Sequence, residues 1–96
     1  MYSVTQTNFF DSKSSGTEKE IVFVENFSSR ENAVKVILQS LREIVLYNNY
    51  SNESKTYTEM NNIFHAQPNW VENGVLTYSY PLYGGKMTIE WAIVNQ

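Results

Sequence analysis

Cysteine is absent from the 96 residues, which excludes disulfide staples, a thiolate nucleophile and any zinc site built on sulfur. Stability has to come from packing. Histidine occurs once, as His65, so a general base would need a positioned partner and a triad would need a nucleophile within hydrogen-bond reach. The chain has serines but no G-x-S-x-G elbow, and His65 reads as a surface or half-buried side chain. Cations are also few, with seven Lys and Arg against ten Asp and Glu and a formal charge of -3. That balance weighs against direct binding of nucleic-acid phosphates, whose affinity comes largely from Lys and Arg. The acidity is too dispersed for a nucleic-acid mimic. No apolar run approaches the roughly 18 residues of a membrane span, and the opening MYSVTQTNFF lacks the basic start and apolar stretch of a signal peptide. The expectation is a soluble, cytoplasmic protein that meets no membrane.

What is present describes a core-forming chain. Hydrophobic residues make up 42% and aromatics 15% of a length that suits one small domain, here residues 1–96. Tyr2 to Phe10 mixes β-branched, aromatic and small polar residues and reads as a strand ending in the turn DSKSSG, Asp11 to Gly16. Thr17 to Glu25, centred on Ile21-Val22-Phe23-Val24, reads as its antiparallel partner. Its apolar residues fall on both faces, which suggests a strand covered on both sides or placed at the sheet centre.

Ser28 and Glu31 have capping-box spacing and predict a helix start. Val34, Ile37, Leu38, Leu41, Ile44 and Val45 then recur at helical spacing, giving one long helix with a core-facing stripe that frays in YNNYSNES, Tyr47 to Ser54. Thr56 and Glu59 repeat the capping-box spacing, and Tyr57, Met60, Ile63 and Phe64 share a helix face. A short second helix should follow and end before Pro68. The rival reading makes Lys55 to Met60 a strand, since Thr-Tyr-Thr favours one. After the turn at Asn73-Gly74, Val75 to Tyr80 and Lys86 to Val94 alternate with period two. Pro81 to Gly85 turns the chain between them, Gly84 and Gly85 being free to take positive φ.

The order is ββααββ. It implies an α+β two-layer sandwich: a four-stranded antiparallel sheet with one long and one short helix on one face. The strong final strand, Lys86 to Val94, is expected to leave an edge that invites a homodimer.

Carboxylate pairs such as Glu18 and Glu20, or Glu72 and Glu90, could serve acid-base chemistry if brought together, but they read more simply as solvated positions. DSKSSG lacks the further acids of a calcium loop. No catalytic residue, cofactor or metal is implied, and the chain reads as no enzyme.

The aromatic residues say more. Trp91, Tyr78 and Phe23 read as core rings. Trp70, Tyr80 and Tyr83 lie at or near turns, where rings are harder to bury, and Tyr and Trp are enriched at interface hot spots. With Glu72 and Glu90 as nearby acceptors for basic groups, Trp70, Tyr80 and Tyr83 are the candidate partner-binding residues. Base stacking would want a positive groove, and only Lys86 is close in sequence.

In size and composition alone, the chain is similar to the small, acidic, cysteine-free proteins that phages and mobile elements use to block host machinery. That likeness implies a steric inhibitor of a host defence or nucleic-acid-processing complex, of the anti-CRISPR type, with a host protein or ribonucleoprotein as partner. It transfers no residues. The alternative is a small-ligand binder with a pocket lined by Tyr47, Tyr57 and Tyr78.

Overall fold

The computed structural model describes residues 1–96. Strands β1 (Tyr2–Ser12) and β2 (Gly16–Phe27) form the first hairpin, and β3 (Val75–Leu82) and β4 (Gly85–Asn95) the second. Between them run α1 (Arg30–Asn48), α2 (Glu53–Ala66) and a single turn, α3 (Trp70–Asn73). The four strands make one antiparallel sheet in the order β2-β1-β4-β3, with the helices on one side. The expected α+β sandwich is therefore the observed architecture. The one-turn helix α3 was not anticipated.

Period-two alternation explains the packing. Val4, Leu76, Tyr78, Ile89 and Trp91 project from β1, β3 and β4 toward the helices, where they meet Ala33, Ile37, Leu41 and Val45 of α1. Each fully buried aliphatic side chain here contributes about 1.5–3 kcal/mol relative to exposure. Helix α1 starts at Ser29, not Ser28: the Ser29 hydroxyl accepts from the Asn32 amide, because β2 keeps the chain extended through Phe27. Helix α2 starts earlier than its sequence suggested. Asn52 is the cap, its side chain accepting from the Lys55 amide. Thr56 lies a turn inside, buried, with its hydroxyl donating to the Asn52 carbonyl. Met60, Ile63 and Phe64 pack inward as expected, while Tyr57 points outward. The strand alternative for Lys55 to Met60 is excluded by fourteen residues of helix.

One buried polar group needs an account. Gln6 faces the helices, and its Oε1 accepts from Ser40 Oγ at 2.8 Å and from Trp91 Nε1 at 3.0 Å. It joins β1, β4 and α1 through one atom. Gln6→Leu would leave the indole N–H with only its longer bond to Ser40 Oγ, at 3.2 Å, and should cost about 1–3 kcal/mol in urea unfolding. Unchanged stability would mean that the hydrocarbon packs there as well as the amide.

Two edge expectations are overturned. β4 lies between β1 and β3, so the final strand has no free edge. β2, read as central or doubly covered, is an outer strand, with Ile21 58% and Val24 57% exposed. Register explains why its apolar residues fall on both faces: a bulge opposite Gln6/Thr7 inserts Val22, so Ile21 and Val24 share the face away from the helices while Phe23 turns toward the core. The other outer strand, β3, is partly closed by a side chain. The Gln67 amide donates to the Thr77 carbonyl at 2.8 Å and accepts from the Thr77 amide at 2.9 Å, pairing with the strand as a backbone would.

Candidate functional site

The sequence-derived partner-binding residues do not form one site. Trp70 is 7% exposed and stacked on Phe64, with ring centroids 6.3 Å apart. It is a core ring and cannot serve as a docking anchor. The reason is α3: one helical turn between Pro68 and Gly74 points the indole inward, held by the Gly74 amide donating to the Trp70 carbonyl and by Arg30 donating to the Val71 carbonyl. Glu72, on the same turn, is exposed. Glu90 lies on the open face of the sheet between Thr7 and Thr77, because its neighbours Ile89 and Trp91 alternate with it and point to the core. Tyr80 is half-buried on the helix side, its ring 5.2 Å from that of Tyr78. Tyr83 stands fully exposed at the tip of the second hairpin.

A different set of residues does converge. The C-terminal end of α1 (Tyr47, Asn48), the following turn (Tyr50, Ser51), Glu59 of α2 and the end of β3 (Tyr78, Tyr80, Pro81, Leu82) enclose an open groove of about 760 Å³. Of the tyrosines expected to line a pocket, Tyr47 and Tyr78 do so and Tyr57 lies outside it.

Local chemistry builds the groove. Helix α1 cannot continue through the Asn-rich turn, and Tyr50 and Ser51 take left-handed backbone angles, φ 54° and 64°. These angles cost side-chain-bearing residues free energy. The helix end offsets that cost: the Tyr50 amide donates to the Tyr47 carbonyl, the Ser51 amide to the Leu46 carbonyl, and Asn49 Nδ2 to the Val45 carbonyl. The result holds the Tyr47 and Tyr50 rings, 82% and 96% exposed, on one wall. Tyr78, Tyr80 and Leu82 make the other.

Polar groups line the floor. Tyr78 donates its hydroxyl to Glu59 Oε1 at 2.9 Å and accepts from Asn48 Nδ2 at 3.2 Å, while Asn49 Nδ2 also reaches Glu59 Oε1 at 3.4 Å. Burial, with the neighbouring carboxylate, pushes the Tyr78 hydroxyl up to about 12, and burial also raises Tyr80. Both hydroxyls therefore stay neutral near pH 7. Glu59 is the only charged residue of the groove. Sequence reasoning found the tyrosines flanking the helix junction but missed Glu59, whose role depends on a contact with β3 nineteen residues away.

His65 is exposed near the end of α2, and no group of three His, Asp or Glu side chains is assembled. No helix is long and apolar enough to cross a membrane. No family model, curated protein or solved structure matches the chain.

Proposed function

We propose that this chain is a small, non-enzymatic protein-binding module that docks through the aromatic groove and the hairpin tip beside it. The observation that carries this reading is the exposure of Tyr47, Tyr50 and Leu82 around one concavity, with Tyr83 exposed next to Leu82 at the hairpin tip. Exposed tyrosines gathered at a groove are costly to leave in water and are the residue type from which interface hot spots are made. Of the residues first singled out, Tyr80 and Tyr83 remain in the docking surface. Glu72 and Glu90 lie elsewhere on the molecule, and Trp70 belongs to the core. The narrower reading, steric occlusion of a host defence or nucleic-acid-processing complex in the anti-CRISPR manner, draws on size, acidity and composition. The groove adds to it a means of docking.

Affinity capture from a host lysate tests the reading, with wild-type protein beside Tyr47→Ala/Tyr83→Ala. Both rings are exposed, so the variant should melt within a few degrees of wild type. One enriched complex, lost with the variant, is the expected outcome. Equal capture by both proteins would remove the groove and tip from the interface.

A small-ligand binder is the second reading, favoured by the groove's volume and by the Tyr78 and Glu59 polar floor. Thermal stabilisation by one member of a metabolite panel, without protein capture, would select it. A second copy of the chain is less well served. If the exposed Ile21 and Val24 opposed each other in a two-fold β2–β2 pairing, Glu20 of each copy would face Glu25 of the other, a like-charge contact made twice.

A further inference from the structure

We infer that the groove receives an arginine side chain presented by the partner. The inference rests on the docking reading and adds the chemistry of the group that enters. Charge complementarity is the first argument. Glu59 is the only charged residue lining the groove, and neither lysine nor arginine contributes to it. Its Oε1 is engaged by Tyr78 and Asn49, whereas Oε2 receives no hydrogen bond from the protein. An entering N–H donor would find that oxygen open beside a carboxylate already fixed in position, so little side-chain entropy remains to be lost.

Ring faces supply the second argument. Tyr47, Tyr50, Tyr78 and Tyr80 line the same space, and an aromatic face carries negative potential that attracts a cation and repels an anion. The open rings are those of Tyr47 and Tyr50, with half-buried Tyr80 beside them, while Tyr78, 5.2 Å from Tyr80, is buried and contributes its hydroxyl to the floor. A planar guanidinium suits both features, because it stacks on rings and presents parallel N–H groups to a carboxylate. An ammonium is a compact, strongly hydrated point charge and uses the ring walls less well. A neutral or anionic group would leave Glu59 Oε2 uncompensated as water is displaced.

The test is amide-resolved NMR titration with three blocked tripeptides, Gly-Arg-Gly, Gly-Lys-Gly and Gly-citrulline-Gly, on wild type, Glu59→Gln and Tyr47→Leu. Citrulline keeps the shape of arginine without its charge. Glu59→Gln keeps an acceptor for Tyr78 and Asn49, and Tyr47→Leu alters an exposed ring, so both variants should fold. In wild type the arginine peptide should shift the amides of Tyr47 to Ser51, Tyr80 and Leu82, binding about fivefold to tenfold more tightly than the citrulline peptide. The lysine peptide should fall between them. Glu59→Gln should bring arginine down to the citrulline level, and Tyr47→Leu should weaken it by about twofold to fivefold. Equal binding of arginine and citrulline peptides by wild type, or shifts confined to another surface, would overturn the inference. If the groove takes the arginine peptide and the lysate yields no partner, only the docking reading fails. If a partner is captured through the groove and charge makes no difference, only the arginine assignment fails.

Discussion

Trp70→Ala should destabilise the protein by about 3–5 kcal/mol, the usual cost of emptying a large aromatic site in a packed core. For a domain of this size that lowers the melting temperature by more than about 12 °C, and it removes a large share of a total stability that is about 5–15 kcal/mol in small proteins. The ring is 7% exposed and stacks at 18° on Phe64, so its loss leaves a space bounded by α2 and by the turn that carries it. That turn is tied down around the ring: the Trp70 amide donates to the Gln67 carbonyl, and Gln67 in turn holds the edge of β3 at Thr77. Collapse into the cavity would therefore disturb an edge of the sheet as well. Tyr83→Ala is the matched control, since a fully exposed hairpin-tip ring should change stability by less than about 0.5 kcal/mol. Urea unfolding of both variants measures the contrast. Wild-type stability in Trp70→Ala would return that ring to the surface and to the list of docking anchors.

The misreading of Trp70 shows where sequence information stops. Its position between Pro68 and Gly74 marks a turn correctly, yet whether a turn residue points in or out depends on a single helical turn of four residues. Too few residues are present there to show periodicity. By contrast, α1 was legible because six spaced apolar positions agree, and β4 because Met87, Ile89, Trp91 and Ile93 alternate without interruption. That alternation also contained the answer for Glu90. A residue between Ile89 and Trp91 lies on the opposite face, so it could never join Tyr80, which pairs with Met87 on the helix side. Strand order was not legible in the same way. Ile21 to Val24 reads alike in a central strand or at a bulged edge, and only the pairing of β1 with β4, across nearly the whole chain, decides which strand is outermost.

The groove has a similar history. Its tyrosines come from three elements, and the YNNY stretch shows two of them in a place where a helix must end. The carboxylate that gives the groove its chemical character sits mid-helix in α2, at a spacing that suggested a cap. The hydrogen bonds from Tyr78 and Asn49 assign it to the site. Strain points the same way: two consecutive residues with side chains occupy left-handed angles at Tyr50 and Ser51, where glycine would fit more easily. Keeping a tyrosine there is intelligible if its ring is used.

Gly85→Ala should destabilise the protein more than Gly84→Ala does. Both glycines are free to take positive φ, but only Gly84 does so, at 81°. Its surroundings are open, so alanine there meets backbone strain alone, about 1 kcal/mol. Gly85 is extended and opens β4 opposite Ser12 of β1 and Leu82 of β3. A methyl group on it would land on the Asp11 carbonyl, with Phe10 Cζ a further 3.1 Å contact. Asp11 cannot yield easily, since β1 is paired on one side with Thr17 and on the other with Lys86, and the Lys13 amide donates to the Gly84 carbonyl to lock the two turns together. Relief requires the ladder between β1 and β4 to open at this end, and overpacking of that kind costs about 1–3 kcal/mol or more. Because the same hairpin carries Tyr80 and Leu82, Gly85→Ala should also weaken arginine-peptide binding, whereas Gly84→Ala should leave it near wild type. Urea midpoints and the peptide titration read these effects separately. A larger stability loss for Gly84→Ala would show that backbone angle, rather than the close approach of β1, governs this turn.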